Sequence, residues 1–363
     1  MAFNKVEEVL SAICPNPAER TAREAAHRRW ASIAKPLGSL GLLETAIEDI
    51  AALTGSADVD ISSRALLLLC ADNGVVAQGV AQSDHTVTAA VARNAAAKRS
   101  SVCKMAEVAK CRVVPVDMGV LDFPPTIDVL SRRIGNGTGD ITQGPAMTRE
   151  QVRQAILTGV ELVREQKEQG AGLLATGEMG IGNTTTSSAV ACVLLERPVQ
   201  EMTGRGAGLS DEGQRRKLRA IETAIAVNRP DPGDPLDVLT KVGGFDIAGM
   251  CGVFLGGAVY RVPVLMDGFI SSVAALCAVR LCPEAGKAIF ASHVSAEPAG
   301  KRVLDALGKR PLITAEMRLG EGTGAVAVMP LLDMALALYR DGTTFDVCGI
   351  EAYQPQGGGS CLP

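Results

Sequence analysis

The sequence predicts an α/β protein: a parallel sheet flanked by helices, with its ligand-handling residues at the carboxyl ends of the strands. Three observations predict it. From about residue 61 onward, short continuous apolar runs alternate with longer amphipathic segments, and strands covered on both faces read as uninterrupted apolar runs. Each run ends in a small or polar cluster, and open α/β sheets gather ligands at the carboxyl ends of their strands. The chain has 363 residues, 47% of them hydrophobic, enough for one large domain carrying a smaller one.

Taken in order, residues 1–60 read as mostly helical. MAFNKVEEVL is a polar-rich helix start and not a signal peptide. Residues 19–33 carry good helix formers, and residues 42–53 place apolar side chains at helical spacing. Between them Lys35-Pro36-Leu37-Gly38-Ser39-Leu40-Gly41 is a turn-rich break. The apolar runs 65–70, 113–118, 172–175, 262–266 and 288–291 read as buried strands. They end in Asp72-Asn73-Gly74, Asp117-Met118-Gly119, Gly177-Glu178, Asp267-Gly268 and Ser292-His293. Residues 122–148, with Pro124-Pro125 and several glycines, read as a long loop, and 228–235 as a linker between helices. A helix is expected over 326–338, and the tail 354–363, with Gly357-Gly358-Gly359, is expected to be loose.

Composition excludes several functions. Aromatics are only 3% and the net charge is −4, so a base-stacking or phosphate-tracking surface for nucleic acid is not expected. An anionic ligand has to be held locally, by backbone amides and a few cations, because the overall field does not attract it. Ten cysteines without a C-x-x-C pair read as buried free thiols in a reducing cytosol. Three scattered histidines give no metal site, and no metal or cofactor is expected. No window reads as apolar enough to cross a membrane, so a soluble, cytoplasmic protein is expected.

Three glycine-rich segments carry the chemistry. In Gly177-Glu178-Met179-Gly180-Ile181-Gly182-Asn183-Thr184 a strand ends, glycines turn the backbone, and a helix begins near Asn183. Such a turn collects amide donors and the positive end of a helix dipole, which favours an anion. Glu178 cannot itself bind phosphate, so it is expected to face a cationic ring, a ribose hydroxyl or a proton. Gly204-Arg205-Gly206-Ala207-Gly208 precedes a basic helix on which Lys217 can reach a phosphate as a point charge; a solvated basic face is the plainer alternative. In Arg318-Leu319-Gly320-Glu321-Gly322-Thr323-Gly324 one carboxylate stands between glycines before a helix, as a helix cap or as a general base. Asp72-Asn73-Gly74, Gly243–Met250 with Asp267, and Ser292–Pro298 are weaker signals; there Ser295 can donate to a phosphate.

Together KPLGSLG at 35–41, ADNGVVAQGV at 71–80, GEMGIGNTT at 177–185, GRGAGLSDEG at 204–213, GGFDIAGMCG at 243–252, DGFISSVAAL at 267–276, SHVSAEP at 292–298 and RLGEGTGA at 318–325 resemble the motifs of the nicotinate-nucleotide:dimethylbenzimidazole phosphoribosyltransferase family, in its order. The resemblance covers about residues 15–345. It implies a Rossmann-like α/β domain over 61–325, with a smaller helical domain formed by residues 1–60 and 326–363. It implies a homodimer, nicotinate mononucleotide as donor and a benzimidazole as acceptor. Glu321 stands at the family's catalytic base, with Glu178 beside it. Gly180, Gly182, Asn183, Thr184, Gly204, Gly206, Gly208, Lys217 and Ser295 match the nucleotide and phosphate positions. Ser83, His85, Thr88, Val91, Met179 and Leu319 match the acceptor pocket. The segment 83–91 and Asn73 depart from the commoner family pattern, so phenol, p-cresol or a purine is an alternative acceptor. A non-catalytic nucleotide-binding subunit is the alternative of another class.

Overall fold

A computed structural model describes residues 3–353; the tail 354–363, including the glycine run, lies outside the described residues. Six strands form one sheet: β1 (Arg64–Ala71), β2 (Arg112–Gly119), β3 (Leu130–Ser131), β4 (Leu173–Met179), β5 (Val264–Met266) and β6 (Ile289–Ala291). Their order is β3-β2-β1-β4-β5-β6, and every pair is parallel. The chain winds one way from β1 to β3 and the other way from β4 to β6, so the β1/β4 junction is the topological switch point, where a crevice opens beyond the strand ends.

The sequence explains the strands. All eight residues of β1, RALLLLCA, are buried, as a central strand covered by helices requires. Two elements differ from the expectation. β4 continues to Met179, so Glu178 is a strand residue paired opposite Leu69 and not part of a turn. The expected loop 122–148 contains β3, two residues that pair with Val116 and Asp117 and are too short to give a periodic signal.

The helix Phe245–Tyr260 is buried from Phe245 to Ala258 and packs on Arg149–Glu168 and on β1. Small residues make the approach possible. A Cβ on Gly252 would lie 2.9 Å from the Ile156 Cα, and one on Gly159 would lie 2.7 Å from the Val253 nitrogen.

The chain divides into two compact units. The larger holds the described residues up to Cys14 together with Ile61–Ala327. The first fourteen residues were expected in the smaller unit. The described residues up to Cys14 belong to the larger, where the helix Val6–Ala12 buries Val6 and Val9 and packs on Phe245–Tyr260. The smaller unit holds Pro15–Asp60 and the described residues from Val328 onward, so the boundary falls inside the helix Thr323–Asp341 and not at its start. Here the Trp30 and Tyr339 rings pack tilted at 58° with centroids 5.0 Å apart, Arg29 donates to the Tyr339 carbonyl at 2.7 Å, and Tyr339 Oη donates to the Ala57 carbonyl at 2.8 Å.

One expectation is corrected by the helix Thr323–Asp341. By length and composition it is apolar enough to cross a membrane, with a mean hydropathy of 1.3. Pro330 interrupts it, and Ala325, Val328, Met329, Leu332 and Tyr339 are buried, which is the pattern of a core helix. The nine described cysteines are free. Cys14 and Cys348 are exposed rather than buried, and Cys361 lies outside the described residues.

Candidate active site

A cavity of about 320 Å³ opens in the larger unit beyond the strand ends, lined among others by Ser83, Glu178, Asn183, Thr184, Ser295 and Glu321. The site is therefore built at the switch point between β1 and β4. Asn183 opens the helix Asn183–Leu195 behind Gly182, whose φ of 91° sets the left-handed turn. Its amide Nδ2 donates to Glu178 Oε2 and to Asp246 Oδ2 at 3.0 Å, and so bridges two buried carboxyls. Burial, followed by the Asp246 charge, pushes the Glu178 carboxyl up to about 8. Burial likewise pushes Asp246 up to about 6. A carboxyl pushed up to about 8 favours its protonated form at neutral pH, and in that form it can donate a hydrogen bond.

Glu321 enters from the opposite loop. Its φ is 58°, between Gly320 at 88° and Gly322 at 87°, so three consecutive residues are left-handed. A Cβ on Gly177 would lie 2.5 Å from the Glu321 carbonyl, so the β4 backbone presses directly on this turn. Asp267, after β5, grips the far side. Its Oδ2 accepts from the Gly322 amide at 3.2 Å, and its Oδ1 accepts from Gly324 and Ala325 at 2.8 and 3.1 Å. Asp267 thus caps the helix Thr323–Asp341, a role the sequence also left open to Glu321. Glu321 does cap a helix, but a distant one: its Oε2 accepts from the Val102 amide at 3.1 Å.

The third group is Lys217. On the helix Asp211–Asn228 it lies on the buried stripe with Gly213, Ala220, Ile221 and Ala224, and it is fully buried. Nζ donates to Thr184 Oγ1 at 2.9 Å and to the Gly204 carbonyl at 3.0 Å. Burial lowers its pKa to about 8, opposed by the Glu297 charge. Its place on an apolar stripe distinguishes Lys217 from its solvated neighbours, and that signal was present in the sequence.

A phosphoribosyltransferase family model matches residues 15–350. The nicotinate-nucleotide–dimethylbenzimidazole phosphoribosyltransferase of Acetivibrio thermocellus is 48% identical over 91% of this chain and 94% of its own length. That of Ruminiclostridium cellulolyticum is 46% identical over 92% and 94%. The chain belongs to this phosphoribosyltransferase family. The crystal structure of CobT from Thermus thermophilus superposes with a TM-score of 0.86 at 38% identity, covering 91% of this chain and 99% of that one.

Within this phosphoribosyltransferase the expected site residues separate into two groups. Glu321, Glu178, Gly180, Asn183, Thr184, Gly206, Ser295, Ser83, Val91, Met179 and Leu319 line the cavity. The others, His85 apart, stand behind the cavity wall. Gly182 shapes the helix start. Gly204 is bonded to Lys217, which reaches the cavity wall through Thr184. Gly208 has φ 99° and its carbonyl accepts from Gln82. Thr88 is buried: its hydroxyl accepts from the Ile181 amide at 3.1 Å and bonds the Asp72 carboxylate, so it braces the wall instead of facing a ligand. His85 is exposed at the start of the helix Thr86–Ala96 and does not line the cavity. Sequence reasoning did not assign a site role to Asp246, Asp267, Glu297, Arg318 or Val102. Asp267 stood in a marked strand-end cluster and Asp246 in the weaker Gly243–Met250 segment; Val102 had no local signal.

Proposed function

We propose that this chain transfers the 5-phosphoribosyl group of nicotinate mononucleotide to 5,6-dimethylbenzimidazole, giving α-ribazole 5′-phosphate for the cobamide lower ligand and releasing nicotinate. The observation that carries the reading is one cavity at the switch point holding the half-buried Glu321, the buried Glu178 and the Thr184 hydroxyl tied to Lys217.

The chemistry follows from these groups. The C1′–N bond to the pyridinium ring breaks and its electron pair stays on the ring nitrogen, which loses its positive charge. A benzimidazole nitrogen attacks C1′ from the opposite face, converting a β-linkage into an α-linkage. The proton on the second benzimidazole nitrogen passes to Glu321. A positioned base contributes roughly 10²–10⁴-fold, and holding both reactants in line contributes much of the rest. The phosphate rests against Thr184, Gly206 and Ser295, with the Lys217 charge behind Thr184. Glu178 donates to a ribose hydroxyl. The acceptor packs on Ser83, Val91, Met179 and Leu319.

The compared relatives are all named for dimethylbenzimidazole, which supports that acceptor over phenol, p-cresol or a purine. The carboxylate Glu321 supports an enzyme over a non-catalytic subunit. We place the enzyme in the cytoplasm as a homodimer. Incubation with nicotinate mononucleotide and a panel of dimethylbenzimidazole, phenol, p-cresol and adenine tests the reading. Nicotinate release fastest with dimethylbenzimidazole is expected; fastest release with another acceptor, or none with any, overturns it.

A further inference from the structure

We infer that the backbone amide of Val102 is a positioning group for Glu321, so that the helix Ser101–Val108 serves the reaction through its first turn. This rests on Glu321 being the base.

The first amides of a helix have no partner within it. Ser100 occupies the N-cap with φ −67° and ψ 163°, where a serine hydroxyl ordinarily accepts from an amide two or three residues on. Here the serine makes no such cap. Its Oγ donates to Cys103 Sγ at 3.3 Å, and that thiol donates to the Ala95 carbonyl at 3.5 Å. The Val102 amide is thereby left open, and Glu321 Oε2, 219 residues away, accepts from it at 3.1 Å.

Both ends of this contact are fixed. Val102 is fully buried and Cys103 nearly so, which holds the helix in register. Glu321 sits in a left-handed turn between two left-handed glycines, gripped through the Gly322 amide by Asp267. The carboxylate is tethered by one oxygen. Its other oxygen, Oε1, accepts no hydrogen bond among the described residues and is left to the cavity that Glu321 lines. A carboxylate held by one oxygen presents the other in a defined direction, which a proton transfer over hydrogen-bond distance requires. A cap by Ser100 would have stabilised the helix equally well and left Glu321 to rotate.

Steady-state kinetics on three variants tests this. Val102→Pro removes the N–H in the first turn, where that amide has no partner within the helix. Val102→Ala keeps the N–H and measures the loss of the side chain alone. Ser101→Pro places the ring one residue earlier, at an exposed position whose amide does not meet Glu321. The expected result is a kcat for Val102→Pro roughly 10- to 100-fold below that of Val102→Ala. KM for nicotinate mononucleotide stays within about threefold, and Ser101→Pro stays at the wild-type rate. Equal kcat for Val102→Pro and Val102→Ala overturns the inference. If Val102→Pro does not fold, Ser100→Asp supplies a competing local cap. It is expected to lower kcat at unchanged KM and unchanged melting temperature, and wild-type kcat in that variant overturns the inference as well. Glu321→Gln in the same assay separates the two levels. Turnover in that variant defeats the base itself; its loss, alongside an inert Val102→Pro, defeats only the role of the amide.

Discussion

Glu178 and Asp246 lie on either side of Asn183 with no cation among the hydrogen bonds described for them, and this arrangement has a measurable consequence. Glu178 is pushed from 4.5 up to about 8, by burial first and then by Asp246. The folded protein therefore holds a proton there that the unfolded chain releases at lower pH. The stability from this proton is fully present below the unfolded pKa and is lost as pH rises through about 8. Asp246, at about 6, adds a loss of the same sign in the lower part of that window. Lys217, lowered to about 8, has the opposite sign: its folded form binds the proton less tightly, so stability is recovered as pH rises from about 8 toward the ordinary lysine value. Melting curves from about pH 5 to about pH 8 should fall more steeply for wild type than for Glu178→Gln. Parallel curves would show that Glu178 is ionised throughout. Residue identity made much of this site legible. Glu178 and Glu321 stand out because glycines flank them, and Lys217 because it interrupts an apolar stripe. Val102 was not legible, because its amide acts through the backbone and any side chain would serve.

At the scale of elements, helix packing explains why glycines crowd the segment Phe245–Tyr260. Gly252 and Gly256 let this helix meet Arg149–Glu168 almost backbone to backbone, with a Gly256 Cβ position 3.0 Å from the Val160 Cα. Gly252→Ala should destabilise the protein by about 1–3 kcal/mol through overpacking, read as a lower urea midpoint, while kcat per folded molecule stays at the wild-type value. An unchanged midpoint would mean that the helices can separate without cost. Strand existence was legible, because β1 and β4 are continuous apolar runs. Strand ends were less so. Glu178 belongs to β4 because its backbone pairs with β1, a tertiary fact that the short-range pattern of Gly177-Glu178 reads as a turn. The same holds for β3, whose two residues exist as a strand only by virtue of their pairing with β2.

The whole molecule carries a net charge of −4 and binds its anionic donor, in this account, through a few local groups. Its global field therefore gives no steering toward nicotinate mononucleotide. Raising ionic strength from about 20 mM to about 200 mM should leave kcat/KM for the donor within roughly twofold. A steep fall would point to a surface attraction that the sequence does not contain. The parallel sheet was legible from alternating runs and helices, and the 3-2-1-4-5-6 strand order places the site where such sheets bind ligands. The division of the chain was less legible. The helix Val6–Ala12 reads like the helices that follow it, and the burial of Val6 and Val9 accompanies its place in the larger unit.

The proposed mechanism depends on the Glu321 carboxylate accepting the acceptor's proton. Glu321→Gln preserves size and an oxygen for the Val102 amide while removing the basicity. Nicotinate release, measured beside calorimetric titration with nicotinate mononucleotide, should fall by at least the roughly 10²–10⁴-fold of a lost base while donor affinity is kept. Wild-type turnover in that variant would contradict the account.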